Sequence, residues 1–122
     1  MYHNLEMWQR SMRLVQEIYK IARFFPMDNT ITKIPYKLRK LSVNVPLNIS
    51  RGFVFDNQLN FSNYIILAIN TLEEIKELLK QSYELKFIEI SQKESLDFEI
   101  NQIIQLMKKY TEKIECPKNL II

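Results

Sequence analysis

The chain of 122 residues is long enough for one compact domain with a real core and too short for two ordinary ones. One glycine and four prolines leave few places for the tight turns of a sandwich or barrel, and a single cysteine and a single histidine exclude an internal disulfide and a zinc site. The net charge of +3 is uneven: residues 1–55 hold nine Lys/Arg against three Asp/Glu, a net +6, while residues 56–122 hold eight against eleven, a net −3.

Leu5, Trp8, Met12, Val15, Tyr19 and Ala22 recur at helical spacing. They predict a first helix over residues 5–25 with this stripe, Trp8 included, on its core side, and Pro26 ends it. A second stripe, Leu14, Ile18, Ile21 and Phe25, widens the apolar face beyond a narrow seam. Thr32 is placed to cap a second helix over residues 32–52, with Ile34, Leu38, Leu41 and Val45 inward.

Asp56 or Asn57 caps a third helix over residues 57–82, whose stripe is Phe61, Ile65, Ala68, Leu72, Ile75 and Leu79. Tyr64, Ile66, Leu67 and Ile69 make that helix apolar nearly all round for two turns. Ser91 and Glu94 fit a capping box for a fourth helix over residues 91–115, with Leu96, Ile100, Ile103, Met107, Tyr110 and Ile114 inward, stopped by Pro117. Four such helices, short loops and no strand-like alternation predict an all-α, up-down-up-down four-helix bundle as a single domain over residues 1–122. Apolar residues left over on helices one and three, with the tail Leu120, Ile121 and Ile122, predict a homo-oligomer.

The second helix contains the stretch LRKLSVNVPLNISRGF, residues 38–53. Pro46 removes a backbone donor and meets the carbonyl of Ser42, so a proline-kinked helix is expected, with Pro46, Asn48 and Gly52 as parts of the bend. Ser42, Asn44 and Asn48 are near enough to supply compensating hydrogen bonds. Beyond the bend, Ile49 and Phe53 take over the apolar face.

Catalytic chemistry finds no footing. Glu73, Glu74 and Glu77 interleave with lysines as a solvated face, and a di-iron bundle needs Glu-x-x-His pairs that the chain lacks. Cys116 has no histidine to activate it, and one glycine makes no phosphate-cradling loop. No enzyme, cofactor or metal is expected. The longest apolar run, Tyr64 to Ile69, is six residues against the ~20 that span a bilayer, and no basic-then-apolar leader opens the chain, so a cytoplasmic protein is expected.

What remains is charge. Lys33, Lys37, Arg39, Lys40 and Arg51 lie in a segment without acids, and Arg10, Arg13, Lys20 and Arg23 add to it from helix one. These residues are the candidate nucleic-acid-binding face. Repeated once per subunit in a cyclic oligomer, such a patch holds a polyanion such as RNA by counterion release where one copy does not. The competing reading is a scaffold for a protein partner whose basic face is only solvated.

The phrases LEMWQRSMRLVQEIYKIARFFP, LRKLSVNVPLNISRGF and LNFSNYIILAINTLEEIKELL, in this order, resemble the small proteins encoded within intervening sequences of bacterial 23S ribosomal RNA genes. Leu38, Arg39, Lys40, Val45, Pro46, Asn48, Ile49 and Gly52 fall on that family's L-R-R-A-A-x-S-I-P-x-N-I-A-E-G pattern, and Leu5, Trp8 and Gln9 on its helix-one signature. The resemblance implies a ring-shaped homopentamer of four-helix bundles, without enzymatic activity and with a role in nucleic-acid binding. The group is also similar to the accessory protein of diversity-generating retroelements, which implies a reverse transcriptase as an alternative partner. Arg51 replaces the usual glutamate before the glycine, and Val54, Phe55 and Asp56 stand where basic residues are common, so Arg39 and Lys40 carry over better than positions around Gly52.

Overall fold

The computed structural model describes the backbone of residues 2–26, 33–54 and 58–121, and the side chains of residues 5–26, 33–53 and 61–111. Four helices follow one another: α1 (Tyr2–Ala22), α2 (Ile34–Val54), α3 (Gln58–Glu84) and α4 (Ile90–Ile121), with no strand among the described residues. Each helix packs on its neighbours in the order α1, α2, α3, α4 and back to α1, most closely between α2 and α3. No diagonal pair touches among the described residues, which is an up-down-up-down four-helix bundle. None of these helices is long and apolar enough to cross a membrane.

The predicted stripes of α3 and α4 form the core. Phe61, Ile65, Ala68, Leu72, Ile75 and Leu79 are buried, as are Leu96, Ile100, Ile103 and Met107. On α2 the buried set is Ile34, Leu38, Val45 and Ile49, with Leu41 packed at its edge. Pro46 lies buried inside α2, and Ile49 falls one turn beyond Val45 on the same stripe.

Helix α1 departs from expectation. Its core face is Met7, Ser11, Leu14, Ile18, Ala22 and Phe25, whereas Leu5, Trp8 and Tyr19 are exposed and Met12 and Val15 only half-buried. The two apolar stripes lie about a quarter-turn apart, and the partner helices cover the second one, through Leu14, Ile18 and Phe25, together with Met7 and Ser11, with Ala22 the one residue of the first stripe that is buried. Trp8, at 36% exposure, is therefore a surface residue and not core.

Five buried hydroxyls, those of Ser11, Ser42, Thr71, Ser82 and Thr111, are satisfied within their own helices, whereas the buried Ser62 Oγ has no partner among the described residues. Ser11 donates to the Trp8 carbonyl at 2.8 Å, Ser42 to Arg39 at 2.9 Å, Thr71 to Leu67 at 3.0 Å and Ser82 to Leu78 at 2.7 Å. The Ser42 hydroxyl thus turns back towards Arg39, and the carbonyl that Pro46 deprives of a donor is Ser42's own; the hydroxyl does not compensate it.

The helix ends differ from the predicted caps. The last turn of α1 tightens into three-residue hydrogen bonds, Phe24 to Ile21 and Phe25 to Ala22, so the α-helix closes at Ala22 and not at Phe25. Lys33, at φ 50°, precedes α2, and its carbonyl accepts the first helical bond from Lys37 at 3.0 Å. Helix α4 begins at Ile90: the Gln92 side chain accepts from the Glu89 N–H at 2.9 Å, which is half of a capping box placed two residues before the predicted Ser91 and Glu94. Helix α4 also continues past Pro117, because one missing donor does not end a helix whose other bonds form. Thr32, Asp56, Asn57 and Ile122 lie outside the described residues, as do the side chains of His3, Ile114, Cys116, Leu120 and Ile121.

The α3–α4 connection closes α3 with a left-handed lysine. Lys86 sits at φ 65°, its N–H donates to the Tyr83 carbonyl at 2.9 Å, and the Phe87 N–H donates to Ser82 at 2.8 Å. This is a Schellman cap with lysine at the position usually held by glycine. Phe87 then packs on Phe25, ring centroids 5.2 Å apart, joining this end of the bundle to α1.

Candidate functional site

Helix α2 contains no Asp or Glu, and its cations spread around the outside of the bundle. Arg39 lies half-buried on the shoulder towards α1, where its guanidinium carbon is 5.9 Å from the centroid of the Tyr19 ring. Lys40 is exposed on the outward side, its Nζ 6.0 Å from the Tyr36 ring. Lys33, Lys37 and Arg51 are exposed, and at 100° per residue they fall on the opposite shoulder of α2 from Arg39. Val43 and Leu47, also exposed, stand between these cations.

From α1, Lys20 and Arg23 join Arg39. With Val15, Gln16 and Tyr19 they line an open groove between α1 and α2. The Arg23 guanidinium lies 5.2 Å from the Phe24 ring centroid, so both groove arginines rest against aromatic rings. Arg10 does not join them: nine positions before Tyr19, it stands half a turn away on α1. Arg13 is exposed on an intermediate flank.

Ion pairing sorts the same residues. Arg10 Nε is 3.2 Å from Glu6 Oε2 and Lys20 Nζ is 3.3 Å from Glu17 Oε1. Arg13, Arg23, Lys33, Lys37, Arg39, Lys40 and Arg51 make no ion pair among the described residues. Ion pairing thus divides the predicted face: Arg39, Lys40, Lys33, Lys37 and Arg51 on and beside α2, Arg23 in the groove and Arg13 on the α1 flank are unpaired among the described residues, while Arg10 and the groove residue Lys20 are held by acids of the preceding turn of α1.

The groove residues Tyr19, Arg23 and Arg39 are visible in the sequence, but the periodicity that includes Tyr19 points it inward, whereas the structure leaves it exposed. Pro46 is buried within α2, Asn48 is half-buried beside the core stripe, and Gly52 is buried against Phe61 and Tyr64 of α3. Glu73 pairs with Lys76 at 3.9 Å, and Lys76 donates to Asn101 of α4 at 2.9 Å, consistent with a solvated acidic face. No group of three or more His, Cys, Asp or Glu able to hold a metal occurs among the described residues.

Comparison with known proteins agrees with this fold. The family model for the 23S rRNA-intervening sequence protein matches residues 3–109. The chain is similar in structure to a crystal structure of a protein with unknown function from the S23 ribosomal protein family of Bacteroides thetaiotaomicron. The TM-score is 0.82 at 14% identity, and the match covers 90% of this chain and 98% of that one. No curated protein matches the chain.

Proposed function

This chain belongs to the 23S rRNA-intervening sequence protein family, and from that premise we propose that it is a non-enzymatic, homo-oligomeric RNA-binding protein acting through the cations of α2 and the α1–α2 groove. The observation that carries this reading is the run of unpaired cations on an acid-free helix: Lys37, Arg39, Lys40 and Arg51, extended by Arg23. Each is near solvent, and none is offset by an acid among the described residues, so phosphates meet no local competition.

Oligomerisation is supported by apolar side chains the bundle leaves outside. Leu5 and Trp8 on α1, and Ile66 and Leu67 on α3, are exposed at one-turn or adjacent spacing. Covering them in a ring, a pentamer by the family resemblance, repeats the basic strip and converts several weak phosphate contacts into one avid surface.

A salt titration of binding to a structured RNA, followed by fluorescence anisotropy, tests this reading. The expected result is a linear fall of log K with log salt, with a slope of roughly −0.7 to −0.9 per phosphate contacted. Affinity independent of salt overturns it and favours a protein partner such as a reverse transcriptase. Light scattering gives the assembly state, and a monomer at micromolar concentration removes the ring from the account.

A further inference from the structure

The groove between α1 and α2 holds more than positive charge. Tyr19 is 43% exposed at the edge of a concave surface whose other walls are Val15, Gln16, Lys20, Arg23 and Arg39. Phe24, the ring that Arg23 rests on, is 77% exposed. One arginine–aromatic pair, Arg39 on Tyr19, therefore lies in this groove, and Arg23 joins it from a position against Phe24, whose ring lines a neighbouring groove with Tyr83 and Phe87; neither arginine has an ion pair among the described residues.

Fold architecture explains part of this set. Lys20 and Arg23 near the C-terminus of α1 are where the helix dipole favours cations. The dipole does not explain Arg39, in the first third of α2, beside a tyrosine that stays open to solvent. Tyr19 gains little from burial, and its ring already accommodates a planar cation.

We infer that this groove takes an unpaired nucleotide of single-stranded RNA, with the base stacked on Tyr19 and the flanking phosphates held by Arg23 and Arg39. The inference rests on the RNA reading above and specifies the form of RNA recognised. Aromatic rings interleaved with arginines suit splayed bases, because every base offers a π-face and successive phosphates follow the cations. The Gln16 amide supplies one donor group and one acceptor to a base edge. A duplex keeps its bases stacked inside and presents phosphate ridges, so it reaches the arginines and not the ring in the groove.

The test compares a labelled single-stranded RNA with a duplex of the same length across a series of salt concentrations, using the full chain and its Tyr19→Leu, Tyr19→Phe and Arg39→Ala variants. The single strand is expected to bind more tightly than the duplex. Tyr19→Leu weakens single-strand binding about tenfold and leaves duplex binding unchanged, Tyr19→Phe binds as the parent does, and Arg39→Ala weakens both. Equal affinity for both forms, or indifference to Tyr19→Leu while salt-dependent binding persists, overturns this inference and leaves the RNA reading standing. Absence of salt-dependent binding to either form overturns both. If Tyr19→Leu melts below the parent, Tyr19→Trp decides: indole fluorescence quenched by single-stranded but not duplex RNA, beyond the change that Trp8 shows in the parent, supports base stacking, and no such added quenching overturns it.

Discussion

A methyl group added at Gly52 would stand 2.8 Å from Cδ1 and 3.3 Å from Cε1 of Phe61, closer than side-chain carbons settle. The chain's one glycine is therefore the contact at which α2 and α3 approach each other, and its φ is not positive. Phe61 has little room to yield, with Phe53 stacked at 5.7 Å on one side and Tyr110 edge-on at 5.3 Å on another. Gly52→Ala gains about 1 kcal/mol of helix propensity, but overpacking costs about 1–3 kcal/mol. The expected outcome is a net loss of about 1 kcal/mol, read as a melting temperature lower by about 4 °C. Gly52→Ala combined with Phe61→Leu recovers part of that loss, because the clash and its relief are coupled. A single variant as stable as the parent means the α2–α3 spacing adjusts freely.

Much of this packing was legible beforehand. The apolar rows of α3 from Phe61 to Leu79 and of α4 from Leu96 to Met107 are legible because each continues unbroken over several turns, even where other apolar residues widen the α3 face. Helix α1 was misread because its two rows, through Leu5, Trp8 and Tyr19 and through Leu14 and Ile18, are equally periodic, and periodicity carries no information on which row the partners cover. Ser11 was the missed signal: a small hydroxyl that returns its proton to its own helix is compatible with close packing. The groove followed the same error, since Tyr19 had been assigned inward. The cap of α4 was missed because glutamate is a poor cap by type, and only Gln92 reaching back to Glu89 reveals it.

Lys86 is a position where the backbone asks for glycine. Its left-handed φ of 65° completes the Schellman cap of α3, and a side chain there costs about 1 kcal/mol. Lys86→Gly is expected to raise stability by up to about 1 kcal/mol, partly offset by the greater freedom of glycine in the unfolded chain. Lys86→Ala retains the Cβ and should stay near the parent. Urea midpoints at constant m-value check both, and a Lys86→Gly midpoint below the parent's shows that the lysine stem contributes packing that outweighs the strain.

Lys93 and Asp97 form the closest ion pair among the described residues, Nζ to Oδ2 at 2.7 Å. The hydrogen bond to Asp97, with burial acting in the opposite direction, raises the Lys93 pKa above its usual 10.5. A raised folded-state pKa adds stability that is fully present below the unfolded value and lost as pH climbs through the folded one. Lys93→Gln should therefore be less stable than the parent at pH 8, by about 0.5 kcal/mol, and the difference should narrow as pH rises past the usual lysine range and through the raised folded-state pKa. Asp97 Oδ1 is buried without a partner among the described residues, so removing the lysine alone leaves an uncompensated carboxylate. Lys93→Gln with Asp97→Asn should be more stable at pH 8 than Lys93→Gln alone. A difference from the parent that stays constant as pH rises through the lysine range assigns the effect to packing of the lysine stem.

The two sets of cations make opposite demands on RNA binding. Arg39 is free of acids among the described residues and stands in the groove, whereas Arg10 is held 3.2 Å from Glu6, half a turn around α1 from Tyr19. A phosphate approaching Arg10 must displace a carboxylate that one approaching Arg39 does not meet, so the gain is smaller. Arg39→Ala should lower RNA affinity and reduce the steepness of log K against log salt by about 0.8, and Arg10→Ala should change affinity less than about twofold. Lys37→Ala and Arg51→Ala, on the far shoulder of α2, should fall between them if the strand continues from the groove across the helix. Equal effects of Arg39→Ala and Arg10→Ala would mean that RNA responds only to overall charge, and the groove would then lose its special standing while the salt dependence kept its own.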